Sequence, residues 1–543
     1  MTTDPVTLAV DLGTSGVKVA LVEDGGRVLG WEAEPVRLLV TPDGGAEQVP
    51  DEWWSGLLAA ARRLLARDLR PRAAIRALCC SSQGEGTVPV DAGGRALMNG
   101  ILWMDMRGAE PLRRQFGGLV NVDGASALRV LRWIRLTGGM PSMTGKDPAG
   151  HMLLVRDRFP EVYARTHRFL NVLDYLNLRL TGRFVATHDS ILTSWVTDNR
   201  DADRIRYHPA LVRDCGIDAS MLPDIVPCTE VLGPLLPDVA EALGLSRDVQ
   251  VVAGAIDTTA AAVGSGAVAD GHLHLYLGTS TWMAAHVAEK KTDVRSALAS
   301  VPGAVPGRWL LIALQATAGG NLTFLRDKIL YHRDELLQEA GVPDVFKVMD
   351  RIAERVPAGS RGVIYTPWIW GERAPVEDRT LRAGIFNLSL EHDRGDVVRA
   401  FLEGIALNSR WLLGPVERFL GLQPRSLRLV GGGACSDVWC QIYADVLGVE
   451  VRQVEDPLQA NARGAGLLAA IGQGRVGWAD VPALARVRRT FAPNPAHRAV
   501  YEDRYAAFAE LHRRLAPLYR RLNVSARAEA PVPAASGSPT LQP

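Results

Sequence analysis

The sequence has no stretch that could serve as a membrane-spanning segment or an export signal. Its 543 residues contain no run of about 18 purely apolar residues, and the nearest approach, at 251–268, is interrupted by Asp257. The N-terminus lacks the basic stretch followed by an apolar one that marks a secretory signal. We therefore expect no membrane partner and a cytoplasmic protein.

An excess of one charge is also missing. The chain carries 61 basic and 60 acidic residues, a net charge of +1, so bulk electrostatics do not favour a nucleic-acid partner. Lysine is scarce, because only 6 of the 61 basic residues are Lys and the other 55 are Arg. Hydrophobic residues make up 47% of the chain, a globular composition that excludes a disordered, collagenous or coiled-coil protein.

Cysteine is sparse, and its spacing predicts neither a metal site nor a disulfide framework. The 6 cysteines include no Cys-x-x-Cys pair, and a chain of this length does not depend on cross-links for its stability. We expect reduced and mostly buried thiols.

What the sequence does contain is an internal repeat. Residues 6–16 read VTLAVDLGTSG, and residues 272–281 read HLHLYLGTST. Each Gly-Thr-Ser follows one apolar strand and precedes another, at 17–23 and 282–288, and a third strand follows in each half. We therefore predict a duplicated domain with a cleft between the two copies.

Helix and strand patterns alternate after each set of strands. The first half shows a helical pattern at 52–69 and a buried strand at 75–80. The second half shows a helix at 395–420, a strand at 426–432, a helix at 436–448, a strand at 449–454 and a core helix at 460–472. This alternation is typical of α/β layers. The stretch 525–543 is rich in Pro, Ala and Ser and predicts a disordered tail.

The first group of residues that could carry chemistry lies at the end of the first apolar strand, in Asp11-Leu12-Gly13-Thr14-Ser15-Gly16. Asp11 ends this strand, and Gly13, Thr14 and Ser15 form a tight turn whose backbone N–H groups could converge on phosphate oxygens. Asp11 could hold Mg²⁺ through water, since Mg²⁺ prefers oxygen ligands and keeps its waters. An ordinary hairpin turn is the alternative, but the second Gly-Thr-Ser favours a function.

Two further groups lie at strand ends in the second half of the repeat. The run from Gly431 to Ala434 leads from a strand into a helix and permits close approach of a flat or phosphorylated ligand, although a plain loop is an equal alternative. It is not the Gly-x-Gly-x-x-Gly of dinucleotide sites. Asp257 ends a buried strand and either caps the next helix or acts as a general base toward a substrate hydroxyl.

A last group lies just past apolar strands of the first half. It comprises Gln83 and Glu85 in SQGEG, and Trp103 and Asp105 in WMDMR. Amides and carboxylates hydrogen-bond hydroxyl-rich ligands, and a Trp offers an apolar face to a sugar. Solvated surface loops are the alternative.

Taken together, these segments resemble the FGGY carbohydrate kinases, of the actin, Hsp70 and hexokinase type of ATPase superfamily, over about 6–510. The resemblance is carried by nine segments in the family's order: DLGTSGVKVALV (11–22), AEQVPDEWW (46–54), ILWMDMR (101–107), FLNVLDYLNLRLTG (169–182), VVAGAIDTTAAAVGSG (251–266), LGTST (277–281), GERAP (371–375), GIFNLSLEHDRGDVVRAFLEGIA (384–406) and VGGGACSDVWCQIYADVLG (430–448). Xylulokinase-like members are the most similar.

The resemblance implies an α/β fold of two duplicated ribonuclease-H-like domains, each a mixed β-sheet flanked by helices, with an interdomain cleft. We predict a sugar-binding domain at 1–250, a nucleotide-binding domain at 251–512 and a terminal segment with the tail at 513–543. The implied reaction transfers the γ-phosphate of ATP, with Mg²⁺, to a hydroxyl of a ketopentose, D-xylulose being the first candidate. The implied partner is a small sugar or polyol, and a homodimer is a compatible assembly.

The resemblance also implies roles for individual residues. Asp257 matches the catalytic base and also contacts the sugar. Asp11, Gly13, Thr14, Ser15 and Lys18 match the first phosphate motif, with Asp11 near Mg²⁺. Gly278, Thr279 and Ser280 match the second phosphate motif, and Gly431, Gly432, Gly433 and Ala434 match the adenosine motif. Gln83, Glu85, Trp103 and Asp105 match the sugar side.

Departures from the family pattern leave the acceptor open. Xylulokinases usually carry Gln-Met-His-Gly where this chain has Gln-Gly-Glu-Gly at 83–86, which is nearer to the Gln-Arg-Glu of glycerol kinases and the Gln-Gly-Asp-Gly of erythritol kinases. His151 and Leu154 replace a Lys and a Trp, and Thr258 replaces an Asn. Ribulose, L-xylulose, erythritol, glycerol and gluconate are therefore alternative acceptors. A non-catalytic sugar- and ATP-binding regulator is the alternative of another class.

Overall fold

The computed structural model describes residues 4–118, 120–122, 124–330 and 344–523. Two mixed β-sheets, each flanked by helices, organise these residues. The first sheet contains β1 (Val6–Gly13), β2 (Gly16–Glu23), β3 (Val28–Pro35), β4 (Ile75–Ser82), β5 (Val231–Pro234) and β6 (Gln250–Ile256). The second contains β7 (Leu273–Leu277), β8 (Thr281–Val287), β9 (Thr292–Asp293), β10 (Leu298–Pro302), β11 (Trp309–Gln315), β12 (Ser426–Val430), β13 (Glu450–Val454) and β14 (Val487–Phe491).

The two sheets share one topology. Their strand orders are β3-β2-β1-β4-β6-β5 and β11-β8-β7-β12-β13-β14, with β10 and β9 added at the edge of the second. In each sheet three antiparallel strands form a meander, two parallel strands follow, and one antiparallel strand closes the far edge. The predicted duplication is therefore confirmed.

The helices flank these sheets. They are α1 (Pro50–Ala66), α2 (Ala109–Phe116), α3 (Ala127–Thr137), α4 (Pro148–Arg158), α5 (Pro160–Arg165), α6 (Val172–Thr181), α7 (His188–Ile191), α8 (Pro209–Cys215), α9 (Pro237–Leu243), α10 (Asp257–Ser265), α11 (Gly319–Phe324), α12 (Val345–Arg355), α13 (Arg394–Leu420), α14 (Asp437–Leu447), α15 (Ala460–Gly472), α16 (Val481–Leu484) and α17 (Arg498–Leu522). Short strands outside the two sheets are Leu39–Val40, Ala46–Gln48, Val88–Val90, Gly100–Ile101, Asn121–Val122, Ala125–Ser126, Arg168–Leu170, Val185–Thr187, Thr197–Asp198, Arg206–Tyr207, Asp224–Val226, Ile364–Thr366 and Gly384–Phe386.

Two helices cross between the halves. α10 follows the first sheet in sequence, yet its Ala261 and Ala262 pack against Trp282 of the second sheet. α15 follows β13 of the second sheet, yet its Leu468 lies in the core beneath the first. The two helices touch through glycines: a Cβ on Gly464 would lie 2.0 Å from the Ala260 carbonyl oxygen. Only glycine permits this approach, so the spacing of the two halves depends on it.

The sequence predicted most of these elements because their amphipathic patterns are strong. The predicted helices at 52–69, 395–420, 436–448 and 460–472 and the strands at 75–80, 426–432 and 449–454 are confirmed to within a few residues. α1 shows why, since Pro50 starts the helix and the apolar side chains at helical spacing, Trp53, Leu57 and Leu64, are all buried. The predicted α/β fold of two sheet-containing domains is confirmed.

Two elements extend across the predicted domain limits. β6 pairs with β4 and continues the first sheet to Ile256, and α17 runs to Leu522. The limits at 250 and 512 stay predictions. The predicted tail at 525–543 lies outside the described residues.

Two expectations drawn from composition can be compared with the structure. All 6 cysteines are free, and Cys435 is exposed while the others are buried, as expected. None of the helices in the described ranges combines the length and the apolar character needed to cross a bilayer.

Candidate active site

Three parallel strands of the first sheet end side by side and bring the predicted residues together. Leu12 of β1 and Ile256 of β6 both pair with Ser82 of β4. Side chains that follow these strands therefore share one edge of the sheet, the usual place for ligands in α/β proteins. Asp11, Gln83 and Asp257 meet at this edge.

Asp257 is the first residue of α10, and the N-cap is Ile256. Helix capping therefore does not explain why an acidic residue lies at this position. Its Oδ1 accepts a hydrogen bond of 2.7 Å from the Thr258 backbone N–H. Burial and the negative charges of Asp11 and Glu85 together raise the pKa of Asp257 to about 7, although the hydrogen bond from the Thr258 backbone N–H lowers it. A carboxylate with this pKa can accept a proton near neutral pH.

Asp189 holds the end of β6 in place, a role that sequence reasoning missed. Its buried carboxylate accepts hydrogen bonds from the Ile256 backbone N–H at 2.9 Å and from the Thr187 hydroxyl at 2.6 Å. The acid therefore fixes the residue immediately before Asp257. The only sequence signal was a polar run at 187–190 with no recognisable spacing.

Asp11 and Lys18 face each other across the first hairpin. They are directly paired between β1 and β2, and Lys18 Nζ lies 3.5 Å from Asp11 Oδ2. Asn461 of α15, which sequence reasoning also missed, donates to Asp11 Oδ1 at 3.3 Å. The Asn461 Oδ1 atom is buried with no hydrogen-bond partner among the described residues. An orphaned oxygen beside a carboxylate fits the water shell of Mg²⁺.

The first Gly-Thr-Ser turn is tied to the predicted sugar side. The Thr14 hydroxyl donates to Gln83 Oε1 at 2.8 Å and accepts from Trp103 Nε1 at 3.1 Å. Gln48 donates to the Thr14 carbonyl and accepts from Gln83 at 3.0 Å. Thr14 is thus a link between the two predicted motifs, while Ser15 is exposed and its hydroxyl is free among the described residues.

The carboxylate of Asp105 has other hydrogen-bond partners than Gln83 and Trp103, which both contact Thr14. It is fully buried, and its oxygens accept from the Ala46 backbone N–H at 2.9 Å and from the Arg107 guanidinium. Its carboxylate therefore positions Arg107 in this structure. Glu85 is half-buried and close enough to Asp257 to act on it electrostatically.

The second Gly-Thr-Ser turn joins β7 to β8 and is braced by the start of α11. The backbone N–H of Gly319 donates to the Gly278 carbonyl at 2.8 Å, and that of Gly320 donates to the Thr279 carbonyl at 3.1 Å. Thr279 is exposed at the tip, and Ser280 is half-buried. The turn is therefore held by backbone hydrogen bonds and accessible to solvent at Thr279.

The glycine run lies beside this turn, because β12 is parallel to β7. Gly431 has φ 91°, and a Cβ on it would lie 2.7 Å from the Leu277 carbonyl oxygen. Gly432 is exposed, whereas a Cβ on Gly433 would meet Leu277 at 2.5 Å. Ala434 is buried, and its carbonyl accepts from Gln453 at 2.7 Å, so it supports the turn from below.

Comparison with known proteins agrees with this arrangement. The N-terminal domain model of the FGGY family of carbohydrate kinases matches residues 6–264, and the C-terminal domain model matches residues 273–472. The chain is 29% identical over 515 residues to xylulose kinase from Escherichia coli K12, covering 94% of this chain and 99% of that protein. The crystal structure of xylulose kinase from Rhodospirillum rubrum matches with a TM-score of 0.77 and 28% identity, covering 95% of this chain and 100% of that one.

Relatives that are not xylulose kinases also match this chain. A gluconokinase from Bacillus subtilis is 23% identical over 480 residues, covering 86% of this chain and 88% of that protein. The family models together span most of the chain, and both sheets carry a Gly-Thr-Ser turn between the first two strands of their meanders. The chain belongs to the FGGY family of carbohydrate kinases, and it is a sugar kinase.

Proposed function

We propose that this kinase transfers the γ-phosphate of ATP to a hydroxyl of a ketopentose, with D-xylulose as the first candidate. The observation that carries the proposal is the position of Asp257, beside Asp11 and at the ends of β1, β4 and β6. Xylulose kinases among the relatives support the choice of sugar. All 6 cysteines are free thiols and ATP is the co-substrate, which supports a cytoplasmic reaction.

Residues on the two sides of the cleft would have different roles in binding ATP and in phosphoryl transfer. The turn at 278–280 and the glycines at 431–433 would hold ATP, and the turn at 13–15 would meet its terminal phosphate. Mg²⁺, when bound, would neutralise charge on the phosphate oxygens, and Asp11 and Asn461 would hold its waters. Asp257 would accept the proton of the attacking hydroxyl, and closure of the halves would exclude water from the reaction.

Glu85 favours a second candidate, another neutral polyol acceptor such as erythritol, glycerol or ribulose. It replaces the His usual in xylulokinases, and its half-buried carboxylate is a hydrogen-bond acceptor. An acceptor hydroxyl could donate to it directly.

The test is release of ADP by the purified protein with Mg·ATP, across pentuloses, pentitols, erythritol, glycerol and gluconate. Strong stimulation by D-xylulose would establish the first candidate. Stimulation by another polyol would keep the chemistry and change the acceptor. Binding of ATP without stimulation by any of these compounds would contradict the proposal and favour an untested sugar or the regulator.

Activity should depend on pH through Asp257. Because the base must be ionised, kcat/KM for the sugar should rise about tenfold per pH unit below a midpoint near 7 and level off above it. Removing a neighbouring negative charge with Glu85→Gln should lower the pKa of Asp257 and move this midpoint to lower pH. Glu110→Gln, on an exposed position of α2, is the control. An unmoved midpoint in the Glu85 variant would contradict the assignment.

The ionisation of Asp257 also affects the stability of the protein. Its contribution to stability should fall as pH rises, whereas activity should rise. Folding raises the pKa of Asp257 from 3.8 to about 7, so between these values the folded state holds a proton that the unfolded chain has released. The contribution of Asp257 to stability therefore falls as pH rises from about 4 to about 7.

A further inference from the structure

Asp11 and Tyr276 occupy equivalent positions in the two copies of the repeat. Each lies two residues before the glycine of its Gly-Thr-Ser turn, Asp11 on β1 and Tyr276 on β7. Each is also directly paired with a residue of the next strand, Asp11 with Lys18 and Tyr276 with Trp282. An ion pair in the first copy is therefore replaced by an aromatic pair in the second. The proposed mechanism uses the charged position and leaves the aromatic one without a role.

The Tyr276 ring lies against the second Gly-Thr-Ser turn. It stacks on the Trp282 ring, with centroids 4.0 Å apart and planes 1° from parallel. A Cβ on Gly278 would lie 2.5 Å from the Tyr276 Cε1 atom, so the ring edge fills the space that a side chain at 278 would need. Because successive side chains of a strand point to opposite faces, Tyr276 is the last side chain of β7 on its face. The ring is half-buried, so part of it stays accessible beside the turn.

Two helices connect this ring to the acidic residues of the first sheet. Tyr276 packs against the cluster that includes Ala261 of α10, which lies one helical turn after Asp257 and therefore on the same face of the helix. It also packs against a cluster that contains Ala460, the first residue of α15, and the residue after Ala460 donates a hydrogen bond to Asp11. The ring therefore lies between the second phosphate turn and the two acids.

The aromatic side chain adds no charge to this part of the site. Burial and, to a smaller extent, the negative charges of Asp11 and Asp257 raise the pKa of Tyr276, so the phenol is neutral at physiological pH. A tyrosine ring forms hydrogen bonds only through its hydroxyl, and the rest of its surface offers a water molecule no partner. The site is thus polar at the Asp11 position and apolar at the equivalent Tyr276 position.

We propose that the Tyr276 ring is an apolar wall that keeps water from the γ-phosphate of ATP, so that the sugar hydroxyl is the preferred acceptor. This inference rests on the proposed function and adds to it a residue that selects sugar over water. In the competing hydrolysis, a water oxygen bonds to the γ-phosphorus, Asp257 accepts a proton of that water, and the bond from the phosphorus to ADP breaks. The products are then ADP and inorganic phosphate instead of ADP and sugar phosphate.

The test compares ADP release without sugar and with the sugar that the wild type accepts, both with Mg·ATP and the full-length protein. Tyr276→Ala removes the ring and opens space for water, so the ratio of the rate without sugar to the rate with sugar should rise about tenfold or more. Tyr276→Phe keeps the ring and loses only the hydroxyl, so its ratio should stay within about threefold of the wild type. Assays of inorganic phosphate and sugar phosphate identify the acceptor in each variant.

Tyr505→Ala is the matched control. Tyr505 is also half-buried and also lies in the second half of the chain, but it is on α17, where the Arg410 Cζ atom lies 4.5 Å from its ring centre. Its loss should leave the ratio unchanged. If Tyr276→Ala lowers the melting temperature, Tyr276→Leu takes its place, because leucine keeps apolar volume on β7 but lacks the outer edge of the ring. The ratio should rise in that variant too.

The outcomes separate this inference from the function on which it rests. If no sugar stimulates ADP release by the wild type, both fail. If a sugar does, an unchanged ratio in folded Tyr276→Ala or Tyr276→Leu overturns this inference alone, and so does an equal rise in Tyr276→Phe or in Tyr505→Ala. Loss of both rates in equal proportion also overturns it, because the ring would then only support the turn.

Discussion

Replacing Asp257 by Ala or Asn should lower turnover by about 10²- to 10⁴-fold, the usual contribution of a general base. Asn keeps the shape of the side chain and can still accept from the Thr258 backbone N–H, so the loss in Asp257→Asn would report the missing proton acceptor. ATP should bind normally, because the proposed nucleotide contacts lie on β7 and β12 of the other sheet. Stopped-flow or coupled ADP release gives the rate, and calorimetry gives the affinity for ATP.

Asp238→Asn is the matched control for this experiment. Asp238 also lies in the first turn of a helix, α9, but it is exposed and remote from the strand ends. It should leave turnover unchanged. Near-normal turnover in the Asp257 variants would refute the base, and equal losses in Asp238→Asn would show that helix stability is the cause.

Gly464→Val should lower the free energy of unfolding by about 3 kcal/mol or more and reduce turnover with it. Its Cβ would lie 2.0 Å from the Ala260 carbonyl oxygen, a backbone atom that cannot rotate away. Overpacking of this kind costs about 1–3 kcal/mol and sometimes more. The helices that would separate are α10, which begins with Asp257, and α15, which carries Asn461. Urea unfolding and steady-state kinetics on the same preparation measure both effects.

Gly414→Ala provides the control for a glycine inside a helix. Gly414 lies in α13, and only the Arg418 side chain, at 3.7 Å, would come near its Cβ. The substitution should leave activity unchanged and raise stability by up to about 1 kcal/mol, the difference in helix propensity. A Gly464→Val variant as stable and active as the wild type would show that the two helices can move apart without cost.

The residues at the strand ends show which parts of the candidate site can be predicted from sequence patterns. Asp11, Asp257 and Gly431 could each be picked out because they follow apolar runs, and such runs are a local signal. The sequence also predicted a duplicated domain with a cleft between its copies, and the structure places Asp11 and Asp257 at one edge of the first sheet and Gly431 beside the 278–280 turn of the second. The resemblance to a known family added the roles that those positions are proposed to have.

Other residues of the candidate site could not be identified from the sequence around them. Asn461 lies 450 positions from the Asp11 that it contacts, and Asp189 lies 67 positions from Ile256. Asp105 matched a sugar-side motif, but in the fold its carboxylate is taken up by Arg107 and a backbone N–H.

The sequence by itself determined the α/β class, the duplication, the order of the main elements and the candidate phosphate turns, because these depend on the spacing of apolar and small residues within short windows. Only the tertiary structure decided that α10 and α15 cross between the sheets and that Asp189 fixes the strand before Asp257. These features depend on contacts between residues far apart in the chain, and on burial, which decides the pKa of Asp257 and appears only when the chain has folded.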